Sequence, residues 1–537
     1  MPILSKAVAT RAVRNVARWG DTDVFPFPIE NIVLFDSENK VADLLVETSL
    51  RFDDFINTQP AVNYSTLAAV GYNGYRWVTQ IDPRWNAYLL ALVLEVAPAL
   101  EAARVPESRE CVYSYRLDQS GADDGLFMRD GWMRFQERTR QLTSANSYVV
   151  SLDIADFYAR IYHHKLENAL RRSDQGGNIT RQIVKLLSLF SGGTSYGLPV
   201  GGPAARILAE AVLNNVDHLL LADPDLAVFC RYADDYRFFV SDIAQAHRVV
   251  ARLSEILLRN EGLTLQKTKT RIMTAREYAS ALDPLAPDKG TAAAFLRLHV
   301  HFDPYSATSV NDYERLKGQL SEFDVVGLLR SELTKGRIHA ALVRRLVSAI
   351  QYMEPDVQEQ ALMSLLENLE RLTPVVPQVM LAIRRCLEDL PDAFGERVHA
   401  SLRNLIDEGH YLTQVDLNLA FMIRVLAGRQ TIENEQLLIR LFAGPHGHAT
   451  APAPNIQRDI MLILARWNVS YWLSNQKNYI GSAHPWVQRG FLIASYQLGD
   501  EGDHWRKAAS KRMSEFDLIV RDWVSQRAQI TSWSIPI

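Results

Sequence analysis

Two adjacent aspartates interrupt the most strand-like run of this sequence. Residues 227–240 read AVFCRYADDYRFFV, so Asp234 and Asp235 lie between two segments rich in β-branched and aromatic side chains. Two neighbouring carboxylates are costly to bury inside a strand, and we therefore expect them at the tip of a hairpin. Carboxylates held rigidly at a tip suit Mg²⁺, which takes oxygen ligands. A hairpin turn that simply faces solvent is the alternative interpretation.

A third aspartate ends a second strand-like run. Asp153 follows the strand-like residues 148–152 (YVVSL) and precedes Phe157 and Tyr158. Phosphoryl transfer by two cations about 3.5–4 Å apart needs carboxylates from different strands, because one strand cannot surround both ions. Asp153 and the Asp234–Asp235 pair meet that requirement if their strands are neighbours. Asp156 is expected to have a surface or capping role.

The periodicity of the chain changes near residue 285. Before that point strand-like runs alternate with helices such as Pro203–Leu221, which opens with a proline at a first-turn position. After it, amphipathic helices follow one another, as in the apolar stripe of Val357–Leu372. Two helices per ~40 residues are typical of HEAT-like arrays, with an irregular helical bundle as the alternative. Residues 282–308, which carry three prolines, are predicted to connect the two parts.

Composition narrows the class of protein further. A length of 537 residues predicts three to four domain-sized units, and a net charge of −4 does not suit a dedicated nucleic-acid coat. The three cysteines are far apart, which argues against a zinc knuckle or a disulfide framework and favours the reducing cytoplasm. The apolar run Ala87–Leu100 is too short to cross a bilayer, so no membrane span is expected. The basic residues 1–20 are read as an amphipathic helix packed by its Val and Ala side rather than as a transit peptide.

Four segments in order resemble the palm of a reverse transcriptase. Each one matches a palm motif of that family, and together they are Asp153 with Phe157-Tyr158 (motif A), Gly197-Leu198-Pro199-Val200-Gly201 (motif B), Tyr232-Ala233-Asp234-Asp235 (motif C) and residues 263–270 (motif D). The resemblance implies an α+β fold with a fingers and palm domain at 1–285, a connecting segment at 286–335 in place of a clear thumb, and an all-α HEAT-like repeat domain at 336–537.

The resemblance also implies roles for single residues. Asp153, Asp234 and Asp235 would be the catalytic residues and would bind Mg²⁺, with Mn²⁺ as an alternative ion. Tyr158 matches the aromatic gate that excludes a ribose 2′-hydroxyl. The other substrate-binding candidates are the motif B residues, a motif D lysine and two arginines of the fingers, namely Gly197, Pro199, Gly201, Lys269, Arg76 and Arg116. For each arginine, stacking on neighbouring tyrosines is the competing interpretation.

The longer strings around motifs A and B look like those of the abortive-infection (Abi) and related defence-associated reverse transcriptases of bacteria. Motif B carries Val200 where retroviral and group II intron enzymes usually have Gln. The expected function is therefore a Mg²⁺-dependent DNA polymerase, an RNA-directed DNA polymerase or nucleotidyltransferase in type, that acts in cytoplasmic antiphage defence. Its expected partners are deoxynucleoside triphosphates, a DNA product that is covalently linked to protein if the enzyme is protein-primed, RNA, and further copies of the same chain.

Three alternatives stay open at this point. Synthesis is either protein-primed and template-independent or templated by a non-coding RNA. An RNA-dependent RNA polymerase shares the metal chemistry, although such enzymes more commonly have Gly before the acid pair. The non-enzymatic alternative is an inert polymerase-like scaffold that binds RNA or protein. His163 and His164 are adjacent and diverge by about 100° on a helix, so they are read as structural residues.

Overall fold

The computed structural model describes residues 3–20, 24–118, 125–174, 176–224, 226, 228–282, 292–298, 309–447 and 451–537. The chain divides into two compact units. Unit 1 consists of Met1–Ser65, Val78–Pro284 and Ser514–Trp523, and unit 2 of Thr66–Trp77, Leu285–Met513 and Val524–Ile537. The main division therefore falls between residues 284 and 285, and each unit also contains a segment from the other side of that division.

Unit 1 combines helices with the larger sheet. Its first helix confirms the predicted amphipathic helix, since Ala9, Ala12, Val13 and Val16 are buried along one face and Ser5 caps the start. The helices of this part of the chain are α1 (Lys6–Trp19), α2 (Glu30–Asp36), α3 (Glu38–Leu50), α4 (Phe52–Thr58), α5 (Pro83–Ala103), α6 (Gly131–Ser144), α7 (Phe157–Arg160), α8 (His163–Arg171), α9 (Asn178–Phe190), α10 (Pro203–Ala222), α11 (Ile243–Ile256) and α12 (Ala275–Leu282).

The six strands found among the described residues form two sheets. Strands β1 (Asn63–Ala69) and β2 (Tyr75–Ile81) make a two-stranded sheet. Strands β3 (Tyr148–Asp153), β4 (Phe229–Tyr232), β5 (Asp235–Val240) and β6 (Arg271–Thr274) make an antiparallel sheet in the order β4-β5-β3-β6. The strands predicted at 148–154 and 227–240 are thus confirmed, and β3 lies at the centre of the sheet beside β5.

Helix α5 is longer than the sequence reading suggested. It extends over 21 residues, includes Pro98, and among the described residues is the one helix long and apolar enough to span a membrane by length and composition. Its side chains are mostly buried inside the protein, among them Tyr88, Leu89 and Leu92. That degree of burial is typical of a core helix.

Unit 2 is built mainly of helices. They are α13 (Ala292–Arg297), α14 (Ser309–Ser321), α15 (Val325–Leu333), α16 (Ala340–Ile350), α17 (Pro355–Leu366), α18 (Val376–Cys386), α19 (Asp392–Asp407), α20 (Asp416–Leu426), α21 (Ile432–Ala443), α22 (Pro454–Arg466), α23 (Ser470–Gln476), α24 (Pro485–Ala494), α25 (Gly499–Ala509) and α26 (Glu515–Arg527), the last of which is shared with unit 1. Successive even-numbered helices from α16 to α24 pack on one another, as do α17, α19 and α21. The helices therefore alternate between two layers, as stacked helix pairs do.

One prediction for the helical part of the chain is wrong, and another falls mostly on residues that the structure does not describe. The stripe predicted as one helix to Leu372 is broken, because α17 ends at Leu366 and a 3₁₀ segment at Leu369–Val375 follows. Most of the predicted connecting loop at 282–308 lies outside the described residues. After α21, His446 is buried, and its ring nitrogens bond to the backbone of Leu441 and Ala453.

The hairpin of β1 and β2 reaches into unit 2 through residues 66–77. The hydroxyl of Tyr72 donates to the carbonyl oxygen of Arg371 at 2.7 Å and accepts from the backbone N–H of Ile338 at 2.9 Å. Both partners belong to the helical unit. The tip of this hairpin is thus held by the helical array, which the local sequence did not indicate.

Candidate active site

The structure brings the three predicted aspartates together at one end of the central strands. Asp153, the last residue of β3, lies opposite Asp235, the first residue of β5, in antiparallel register. The N–H of Ile154 donates to the carbonyl oxygen of Asp234 at 3.2 Å. Ala233 turns the β4–β5 hairpin with a φ of +52°, a left-handed conformation that costs a non-glycine residue about 1–3 kcal/mol. The aspartate pair therefore sits at a strained hairpin tip beside Asp153.

Burial and mutual repulsion make these carboxylates electrostatically costly. The side chain of Asp153 is nearly buried, with 5% of the residue exposed. Burial, followed by the charge of Asp153, raises the pKa of Asp234 to about 6. Negative charge concentrated in a sheltered site attracts a cation.

A lysine places one positive charge beside these carboxylates. The Lys269 ammonium nitrogen lies 2.5 Å from Oδ2 of Asp153, and this hydrogen bond raises the pKa of Lys269. The loop that carries Lys269 runs along the end of β3, since Gln266 N–H donates to the Asp153 carbonyl oxygen at 2.7 Å and Ala155 N–H to that of Thr264 at 2.8 Å. The predicted motif D loop thus brings the Lys269 ammonium group to Asp153, while most of the lysine side chain stays exposed.

The donor set suits Mg²⁺ held jointly with a substrate. In the part of the chain that the structure describes, no three His, Cys, Asp or Glu side chains already form a metal cluster. Asp235 pairs with Arg237 at 3.3 Å, while Asp153 pairs with Lys269. Mg²⁺ is usually bound by one or two carboxylates together with substrate phosphates and waters, so Asp153 and Asp234 fit it and Asp235 lies next to them.

The motif B loop is fastened to the turn that follows Asp153. The N–H of Leu198 donates to the carbonyl oxygen of Tyr158 at 2.8 Å, and that of Gly197 to Ile161 at 2.9 Å. Gly197 and Gly201 have φ values of +98° and +116°, which glycine adopts without strain. Tyr158, Gly197, Pro199 and Gly201 therefore belong to one substructure beside the aspartates.

The hydroxyl of Tyr158 lies in an enclosed environment close to motif C. Burial raises its pKa first, and the charges of nearby groups that include Glu210 and Asp234 raise it further. Tyr158 therefore stays protonated and uncharged at physiological pH. That its ring faces the sugar of a nucleotide stays a prediction.

The two finger arginines differ in their surroundings. Arg116 is 5% exposed, and its guanidinium donates to Glu101 at 2.8 Å and to the carbonyl oxygens of Val112 and Val105. Its guanidinium is engaged by these buried partners, so the prediction that Arg116 binds a triphosphate is not supported. Arg76 is an exposed residue of β2, and its role in binding a triphosphate stays a prediction.

A buried ionic network under the hairpin was missed by the sequence reading. Arg231, with no exposed surface, pairs with Glu210 at 2.8 Å and Asp217 at 2.6 Å and donates to the Ala233 carbonyl oxygen at 2.9 Å. Arg104 joins Glu210 at 2.7 Å and donates to the carbonyl oxygen of Tyr115, another left-handed residue with a φ of +48°. The network therefore holds two strained turns next to the aspartates.

Local signals for this network existed but were ambiguous. Arg231 interrupts a strand whose neighbours are all apolar or aromatic, and Glu210 and Asp217 are seven residues apart on one face of α10. Burial alone would lower the pKa of Arg231, yet Asp217 and Glu210 raise it well above its ordinary value. The guanidinium is therefore permanently charged, and it needs both acids.

The histidine pair is structural, as expected. His163 is buried and its Nε2 lies 2.7 Å from the carbonyl oxygen of Gly197, while the exposed His164 lies 3.5 Å from Glu167. The three cysteines are all buried and free. None of these groups adds a ligand to the aspartate site.

Comparisons with known proteins agree with the palm. Residues 99–315 match the family model described as reverse transcriptase (RNA-dependent DNA polymerase), so a reverse transcriptase domain is present. No curated protein matches the chain. Similar solved structures include telomerase from Candida albicans with a fragment of telomeric RNA (10% identity, 66% of this chain and 70% of that one, TM-score 0.31) and apo telomerase from Candida tropicalis (10%, 70% and 74%, TM-score 0.30).

Proposed function

We propose that this protein is a Mg²⁺-dependent polymerase that adds deoxynucleotides to a hydroxyl group. The observation that carries the proposal is the pairing of Asp153 and Asp235 across β3 and β5, with Asp234 on the adjoining turn. Burial, followed by the charge of Asp153, raises the pKa of Asp234 to about 6. Carboxylates placed in this way are suited to share divalent cations with a triphosphate. The reverse transcriptase domain in residues 99–315 supports the same chemistry.

Each residue of the site has a separate proposed role in the reaction. Bound Mg²⁺ would activate the attacking hydroxyl and stabilise the leaving pyrophosphate. Asp153 and Asp234 would hold it, and the motif B loop, fixed to Tyr158 and Ile161, would form the floor under the nucleotide. Tyr158 would exclude a 2′-hydroxyl. Lys269 would leave Asp153 for the phosphates when the cation arrives, because the cation then neutralises that carboxylate.

The proposed biological setting is bacterial antiphage defence, in the cytoplasm, as an Abi-type enzyme. It rests on the residues around motifs A and B and on the two-layered helical array of unit 2, which we propose to be HEAT-like. Assembly into a homo-oligomer and a product linked to a protein hydroxyl belong to the same proposal. RNA-templated synthesis from a non-coding RNA is the alternative mode.

A gel assay tests the polymerase proposal. The purified protein is incubated with labelled deoxynucleotides and Mg²⁺, with and without co-purified RNA, and the products are run with and without protease and ribonuclease. We expect label that the double variant Asp234→Ala, Asp235→Ala abolishes. Protease sensitivity indicates protein priming, and dependence on intact RNA indicates a template. Absence of label above the double variant in every condition would overturn the proposal.

A plaque assay tests the defence role separately. Cells that express the wild-type chain or the Asp234→Ala, Asp235→Ala variant at equal levels are challenged with a panel of phages. Protection by the wild type alone would support defence through polymerisation. Equal protection by both would favour a scaffold whose palm is inert.

A further inference from the structure

Arg206 is a half-buried arginine near the start of α10. Its guanidinium carbon lies 5.3 Å from the centre of the Tyr115 ring. Over the described ranges of the chain, no carboxylate forms an ion pair with Arg206 and no hydrogen bond engages its guanidinium. A half-buried charge without a counter-ion is costly, which suggests that a ligand supplies the negative charge.

The natural intramolecular partner of Arg206 is already occupied. Glu210 lies one helical turn further along α10, at the spacing that normally lets an arginine and a glutamate pair. Its two carboxylate oxygens instead accept from Arg104 at 2.7 Å, from Arg231 at 2.8 and 3.1 Å, and from Ser114 at 2.6 Å. Arg206 is thereby left to face the tyrosines rather than the network.

Those tyrosines place Arg206 beside the proposed nucleotide position. The Tyr115 ring that it covers lies 5.8 Å from the Tyr232 ring, which precedes the aspartate pair by two residues. The charge of Arg206 also opposes the rise that burial causes in the pKa of Tyr158. The guanidinium thus lies among residues of motifs A and C.

We infer that Arg206 contacts the phosphates of the incoming deoxynucleoside triphosphate, the task that the sequence reading gave to Arg116. The inference rests on the proposed function. Guanidinium groups bind phosphate oxygens in a bidentate manner. Tyr158, beside Arg206, is the residue proposed to face the sugar of that nucleotide, and the incoming nucleotide therefore fits this position better than a phosphate of a bound strand.

Steady-state incorporation by the full chain tests the role of Arg206. For Arg206→Gln we expect the KM for deoxynucleotides to rise by about tenfold or more while kcat changes less, as loss of a charged hydrogen bond predicts. Arg206→Lys should have a KM between those of Arg206→Gln and the wild type. This variant keeps the test valid if Arg206→Gln fails to fold. Arg259→Gln, which removes a surface arginine paired with Glu255 at 3.0 Å, is the matched control and should leave KM unchanged.

Two binding measurements separate this inference from the proposed function. The wild type and Arg206→Gln are each titrated with a fluorescent deoxynucleotide in the presence of Ca²⁺. Both proteins are titrated in parallel with a labelled oligonucleotide. Weaker nucleotide binding with unchanged oligonucleotide binding supports the inference. If Arg206→Gln has an unchanged KM, or loses oligonucleotide binding alone, the inference about Arg206 is overturned. The proposed polymerase function still holds in that case, provided that the wild type incorporates deoxynucleotides. A wild-type chain that neither binds nor incorporates nucleotides overturns both.

Discussion

The guanidinium of Arg231 donates a hydrogen bond to the carbonyl oxygen of Ala233, the left-handed residue directly before Asp234. The aspartate pair is therefore positioned from below by a charged side chain that is itself held by Glu210 and Asp217. Since these groups are buried, the position of the hairpin and the stability of unit 1 depend on the same interactions.

Arg231→Met should destabilise unit 1 by about 3–5 kcal/mol, because it leaves two buried carboxylates without their shared partner. Urea unfolding monitored by circular dichroism measures the change. Arg252→Ala breaks the exposed pair of Arg252 with Glu255 and should leave the free energy of unfolding close to that of the wild type. Equal stabilities of the two variants would contradict a structural role for the network.

Asp234→Asn should make the metal-free protein more stable while it abolishes polymerisation. The pKa of Asp234 is raised to about 6, so at pH 7 its charge opposes folding, and the removal of that charge should gain about 1–3 kcal/mol. Asp235→Asn, which loses a part-exposed pair with Arg237, should change stability by less than about 1 kcal/mol. Denaturant unfolding at pH 7 in EDTA measures these free energies of unfolding. An Asp234→Asn protein less stable than the wild type would refute the argument.

Tyr158→Ala should admit ribonucleotides. Without the ring, nothing at this position would exclude a 2′-hydroxyl, and we expect the ratio of kcat/KM for ribonucleotides over deoxynucleotides to rise by about 10–100-fold. Tyr158→Phe keeps the ring and serves as the control. An unchanged ratio in the alanine variant would refute the gate assignment.

Acid should weaken unit 2 through His399. Burial lowers the pKa of this histidine, which is 2% exposed, to about 4. Its pKa in the unfolded chain is about 6.5, so the unfolded state binds the proton first as pH falls, and about 2 kcal/mol of stability should be lost between pH 7.5 and pH 5. His399→Gln should show a flatter pH dependence in urea unfolding. If both proteins lose the same stability, another group is responsible.

The parts of the fold that depend on neighbouring residues could be predicted from the sequence. Strand β3, the β4–β5 hairpin, helix α10 and the change to helices after residue 284 all follow from local periodicity and turn chemistry. These patterns are local because the 2- and 3.6-residue periods are set by the backbone.

The pairing of charged side chains, in contrast, depends on how distant segments pack together. Arg116 lies beside tyrosines in the sequence and was expected in the site, yet the fold directs it to Glu101. Glu210 is placed to pair with Arg206, but Arg104 and Arg231, which are distant in sequence, reach it instead. The free energy of an ion pair depends on burial and on competing partners, and these are fixed only when distant segments meet. The motifs located the aspartates, whereas packing settled which arginine remains available beside them.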